Sequence, residues 1–165
     1  MMLTGKRLAK NMDEDQLLLK INGTRLEEVT SQKLLEVIND DKLNFDDHIE
    51  ELCKKMSQHI AVLKKIRSFM PLEQWVLYYN SMIKQVMLYG SSISTSCTTD
   101  SLIKVLKLQK HAARIILNAD TRDHSVEIFT KLGWLPFYDE VKMHVFRRLD
   151  GDCPSYMNSL LNKKC

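Results

Sequence analysis

Hydrophobic positions change their spacing along the chain, and each spacing predicts a different element. Gln16–Ile21 is a short apolar run ending in Asn22-Gly23, the dipeptide most at home in a two-residue hairpin, so a second strand is expected from Thr24. Lys33–Ile38 reads as a third short strand, closed by the polar turn Asn39-Asp40-Asp41. From Asn44 the period becomes helical. Ile49, Leu52, Cys53, Met56, Ile60 and Leu63 form one stripe, with Lys54, Gln58 and Lys65 opposite. Asn44 or Asp46 is the expected cap, and Asp47, Glu50 and Glu51 place acids where the helix dipole favours them.

Pro71 suits the start of a second helix over Leu72–Tyr89. Trp75, Tyr79, Met82 and Val86 lie on one side of it, with Val76, Ile83 and Met87 alongside. Apolar residues reach most of the way round, which predicts a central buried helix with its aromatics in the core. After a Ser/Thr-rich loop, Thr99 or Asp100 is expected to cap a third helix with Leu102, Val105, Leu106, Ala113, Ile116 and Leu117 inward. Gln109 lies inside that stripe and, if buried, requires a hydrogen-bond partner. Ser125–Leu132 reads as a short helix closed by Gly133. Pro136 precedes another reaching about Leu149, before Gly151 and Pro154 break the chain ahead of a last short segment.

The fold class expected is therefore mainly α. A small N-terminal β-hairpin or three-strand unit (1–43) precedes a three-helix bundle (44–118) and shorter C-terminal helices (119–165). With only 5 Gly and 3 Pro, an all-β sandwich or barrel is a poor fit. No apolar run reaches the roughly 18 residues of a spanning helix, and Met1-Met2-Leu3-Thr4-Gly5-Lys6-Arg7 does not read as a secretory signal. An intracellular, non-membrane protein is expected, nuclear or cytoplasmic.

Candidate chemistry is sparse. Cys53, Cys97, Cys153 and Cys165 form no C-x-x-C pair, so neither a zinc site nor a disulfide framework is expected. His48, His59, His111, His124 and His144 are dispersed, with no acid or nucleophile at ligand or triad spacing. No metal or cofactor is expected. Gly5-Lys6-Arg7 lacks the rest of a phosphate loop. The net charge of +3 hides a strong asymmetry: residues 11–52 carry 12 acids against 4 bases, whereas residues 53–118 carry 10 bases against 2 acids. A basic block of that kind favours contact with a polyanion. On the third helix Lys104, Lys107, His111 and Arg114, with Lys110 at the edge, line the face away from the core.

Several segments bear a family likeness. Lys33-Leu34-Leu35-Glu36-Val37 followed by Leu43-Asn44-Phe45-Asp46-Asp47-His48-Ile49 resembles the "KLLGV…L.F..HI" region downstream of the catalytic motifs in reverse transcriptases of non-LTR (LINE-like, jockey-like) retrotransposons. Tyr79-Asn80-Ser81-Met82-Ile83 with Leu88-Tyr89-Gly90-Ser91-Ser92 is similar to that family's "YNSLI.P.L.YGS..W" segment. Leu106–Leu117 resembles its "L..LQKRAARIIL" helix, and His124-Ser125 through Gly133-Trp134-Leu135-Pro136, with Cys153-Pro154-Ser155-Tyr156, resembles its tail.

The resemblance implies a primer-grip-like remnant of the palm over 1–43, a thumb-like bundle over 44–118 and a connection-like tail over 119–165. The fingers and catalytic palm would lie upstream. Polymerase chemistry needs an aromatic-x-Asp-Asp turn and a third aspartate to hold two Mg²⁺ ions. Asn39-Asp40-Asp41 lacks the aromatic and aligns with a non-catalytic turn, so no enzymatic activity is expected. The implied role is to grip an RNA–DNA or DNA duplex through its phosphates. Lys104, Lys107, Lys110 and Arg114 would make the contacts, supported by Lys54, Lys65 and Arg67. Glu36 stands where the family has a turn glycine, Gln85 replaces a proline, Ser94 a tryptophan and His111 an arginine. Val141–Leu149 is also shorter by about one helical turn. These departures fit a decayed or truncated copy. The alternative is a helical bundle that binds a protein partner, at the surface a palm would otherwise cover.

Overall fold

The computed structural model describes residues 20–25, 29–120 and 122–150. Most of Gln16–Ile21, the first ten residues, Cys153, Cys165 and the segment after Gly151 lie outside them. The chain is mainly helical, with short antiparallel strands ahead of the helices. Strands β1 (Lys20–Ile21) and β2 (Thr24–Arg25) pair around Asn22-Gly23, where φ is +50° and +81° as a primed turn requires.

The single strand expected over Lys33–Ile38 is instead a hairpin: β3 (Ser31–Leu34) pairs with β4 (Val37–Asp40). Its turn, Leu35-Glu36, has φ of +48° and +63°. Neither residue favours that region, so propensity gave no sign of the turn. Surrounding contacts hold it. The Tyr89 hydroxyl donates to the Leu35 carbonyl at 2.6 Å, and Glu36 is bridged by Lys33 and Lys55 at 2.8 and 3.1 Å. Asn39 and Asp40 belong to β4, and the turn begins at Asp41.

Helix α1 (Asp46–Ile66) carries the expected stripe: Ile49, Leu52, Met56, Ile60 and Leu63 are buried. His48 is buried with them, and its Nδ1 accepts the Ile38 N–H at 3.5 Å, tying the hairpin to the helix. Neither Asn44 nor Asp46 caps α1. Phe45 takes the N-cap position at φ +56°, with no side-chain bond. The Asp40 carboxylate is drawn back to accept the Asn44 and Phe45 N–H groups at 3.0 and 2.6 Å.

The second helix is not regular. Helix α2 (Leu72–Tyr78) passes into a π turn (Tyr79–Ile83) and then α3 (Lys84–Leu88). Only Tyr79, Ile83 and Met87 are buried along it, and Leu77 and Met82 are exposed. It is therefore not the all-round buried helix expected. A four-residue step drifts by about 40° in a regular helix, and the wide π turn takes up that drift so that 79, 83 and 87 share one narrow face.

The spine of the fold is α1 against α4 (Thr99–Leu117), which make the most extensive helix–helix contact. They start side by side. Asp46 at the head of α1 accepts the hydroxyls of Thr98 and Ser101 at 2.8 and 2.6 Å. Thr98 is the N-cap, one residue before the position expected. Val105, Ala112 and Ile116 are buried in the main core, with Leu102 and Leu106 packed at its margin. Buried Gln109 donates to the Leu135 carbonyl at 2.9 Å, the partner its position demanded.

Helix α5 (Ser125–Leu132) ends at Gly133 with φ +64°, as expected. Trp134 follows and stacks on Tyr79, with ring centroids 3.7 Å apart. Helix α6 (Phe137–Asp150) then places Phe137 and Val141 in the same core as α1 and α4. Lys84 pairs with Glu140, and the Ser91 hydroxyl meets His144 Nδ1 at 3.2 Å.

Candidate nucleic-acid interface

Helix α4 sorts its side chains by face. At about 100° per residue, Lys104, Lys107, Lys110, His111 and Arg114 span an arc of about 120°. Ser101, Val105, Gln109, Ala112, Ala113 and Ile116 occupy the opposite arc, and all six are buried. Packing against α1, α2, α5 and α6 fixes which way the helix is turned, and so fixes where its lysines point. Lys104, Lys107 and His111 are exposed, whereas Lys110 and Arg114 are half-buried. Among the described residues the three ion pairs involve Lys33, Lys55 and Lys84. All seven candidate cations are therefore outside ion pairs there.

The seven are not equivalent. Lys104 sits near the head of α1, where its charge helps hold the Asp46 carboxyl below its ordinary range, behind the larger effect of the Ser101 and Thr98 hydroxyls. It also offsets part of the rise that burial imposes on the Cys53 thiol. Lys54 is exposed on α1, next to Cys53 in sequence. Lys65 lies exposed in the last turn of α1, where a cation complements the dipole. Arg67 is turned inward, its guanidinium 5.8 Å from the centre of the Trp75 ring.

Arg114 departs most from expectation. Its Nη2 donates to the Asp123 carbonyl at 3.5 Å, and its Nε is buried without a partner among the described residues. Part of its hydrogen-bonding capacity is directed into the loop between α4 and α5. Asp123 itself braces that loop, its carboxylate accepting the Asp120 N–H at 2.9 Å. The continuous row is thus Lys104–Lys107–Lys110, exposed at the first two and half-buried at the third, with Arg67 beside Trp75 and Arg114 beside the Asp123 carbonyl. Sequence spacing placed the face but missed these inward turns, because each depends on a partner brought close only by the fold.

The acidic turn is structural. Asp40 spends both carboxylate oxygens on the backbone leading into α1, as described above. Among the described residues no three His, Cys, Asp or Glu side chains converge as a metal-binding set. No helix there is long and apolar enough to cross a membrane. Cys53 and Cys97 are free thiols, and burial pushes the Cys97 thiol up to about 11, so neither is poised as a nucleophile.

A hydrophobic surface lies at the tip of the β3–β4 hairpin. Leu34 and Leu35 are 63% and 81% exposed at the β3–β4 turn, beside the half-exposed ring of Tyr89. Glu36, His48, Leu52, Lys55, Val86 and Tyr89 line an adjoining groove of about 180 Å³. Comparison of the chain with family models, with characterised proteins and with solved structures gives no match.

Proposed function

We propose that the chain is a catalytically empty, duplex-gripping module related to the thumb region of a non-LTR retrotransposon reverse transcriptase. It works inside the cell on the phosphate backbone of an RNA–DNA or DNA duplex. One observation carries the reading: Lys104, Lys107 and Lys110 form a row along α4, unpaired among the described residues and opposite the helix's buried face. Cations at that spacing neutralise phosphates without reading bases. The positive φ at Glu36 also supports the resemblance, since that residue stands where the family has a glycine. The carboxylate of Asp40 serves the backbone, which supports the absence of polymerase chemistry.

The direct test is binding of a blunt RNA–DNA hybrid by fluorescence anisotropy. Replacing Lys104, Lys107 and Lys110 together by Gln should weaken binding at least tenfold at low salt with helicity unchanged, because none of the three is in the buried core. Unchanged affinity would remove the reading. The second reading, a bundle that docks a protein partner, is favoured by the exposed apolar turn at Leu34-Leu35. Its mark would be a partner lost in Leu34→Ser/Leu35→Ser while hybrid binding persists.

A further inference from the structure

A groove runs beside the lysine row, between α4, α5 and the link to α6. Leu106, Val126, Phe129 and Trp134 form its apolar lining, with Lys110 and Ser125 also on its wall. Its volume is about 270 Å³, just under the roughly 300 Å³ at which sites for whole drug-sized ligands begin. That suits a single ring system. The wall is preformed, because Trp134 is fixed by its stack on Tyr79 and Phe129 is buried in the second hydrophobic cluster. Val126 stands 74% exposed at the mouth.

The polar side of the groove carries one sign of charge. Lys110 is the charged residue of its lining, and exposed Lys107 and His111 lie on the adjoining face of α4. Helix α5 also begins here. Its N-cap residue, His124, makes no side-chain cap bond, and the first-turn N–H groups of a helix favour an anion. A purely apolar occupant, such as an aliphatic side chain of a partner protein, would gain nothing from these donors. An aromatic ring joined to a phosphate would use both halves.

We infer that this groove seats one unpaired nucleobase, with the attached phosphate held by Lys110 and the open end of α5. The inference rests on the proposed duplex-binding role and deepens it: the module would prefer a duplex that ends in a single-stranded extension, and the base would be held by stacking rather than by edge readout.

Anisotropy of the full chain with two probes tests this, one a blunt RNA–DNA hybrid and the other the same hybrid carrying a four-thymidine extension. The extension should bind about five- to tenfold more tightly. Val126→Asp places a carboxylate at the mouth of the groove. It should abolish that advantage and leave blunt-hybrid affinity within about twofold, with the helix retained because an acid is favoured in a first turn. In the wild-type chain, oligothymidylate should also quench tryptophan fluorescence. Equal binding of the two hybrids by the wild type, or an advantage that survives in Val126→Asp, overturns the groove and leaves the lysine row standing. A site made for a protein side chain would give that equal binding. Failure to bind either hybrid overturns the lysine row and the groove together.

Discussion

An imidazole buried among aliphatic side chains is most stable when neutral, and His48 is placed to stay so. Burial depresses its pKa below the ordinary histidine value, and the nearby Lys55 charge acts in the same direction. Its Nδ1 already accepts the Ile38 N–H, so protonation would set two donors against each other. In the unfolded chain His48 titrates near 6.5, and between that value and its lower folded value the unfolded state binds more protons. Stability from this residue is therefore complete above about pH 6.5 and falls as pH drops below it. Urea midpoints at pH 7 and pH 5.5 should show the loss, and His48→Asn, whose side-chain oxygen can accept the same N–H, should reduce it. A midpoint independent of pH in the wild type would contradict this. Gln109 is the other costly polar residue, only 1% exposed, with its amide on the Leu135 carbonyl. Its side chain also faces the buried Tyr79 hydroxyl. Gln109→Ala should destabilise by about 2–4 kcal/mol, combining a cavity with an orphaned carbonyl. A loss under about 1 kcal/mol in urea unfolding would show that the site relaxes freely.

At the scale of elements, the π turn at Tyr79–Ile83 sets the face on which α3 packs. Such a turn amounts to one extra residue in a helix. Deleting exposed Ser81 should convert it to regular helix while leaving Ile83 and Met87 close to their present face. Deleting exposed Ser57 from the regular helix α1 should throw Ile60 and Leu63 out of the core. Thermal melts by circular dichroism should show a cooperative transition for the first variant and none for the second. The reverse order would contradict the assignment. Helix α5 was legible to its last residue because its apolar spacing and Gly133 agree. The Leu35-Glu36 turn was not, since it is imposed by Tyr89 and by Lys33 and Lys55. The π turn was not legible either. Apolar residues crowd most of the way round 72–89, so periodicity did not reveal which would be buried.

For the molecule as a whole, the core runs through α1, the π turn, α3, α4 and α6. That leaves α4 as the element whose outer face is both basic and rigidly oriented. Spacing alone points to this face, and the fold adds how the candidate arginines are held. Arg114 is partly engaged by the Asp123 carbonyl, and Arg67 lies by Trp75. Exposed Lys54 on neighbouring α1 is the natural addition to the three lysines of α4. Each phosphate neutralised contributes about −0.9 to the slope of log affinity against log salt on duplex DNA, so three to four contacts give about −2.7 to −3.6. Measuring that slope for a blunt RNA–DNA hybrid, with the wild type and with Lys104, Lys107 and Lys110 all replaced by Gln, decides whether the face is a phosphate track. A wild-type slope near −3 that flattens to about −1 in the variant is the expected result. A slope near zero in the wild type, or one unchanged in the variant, would make the face ordinary solvated surface.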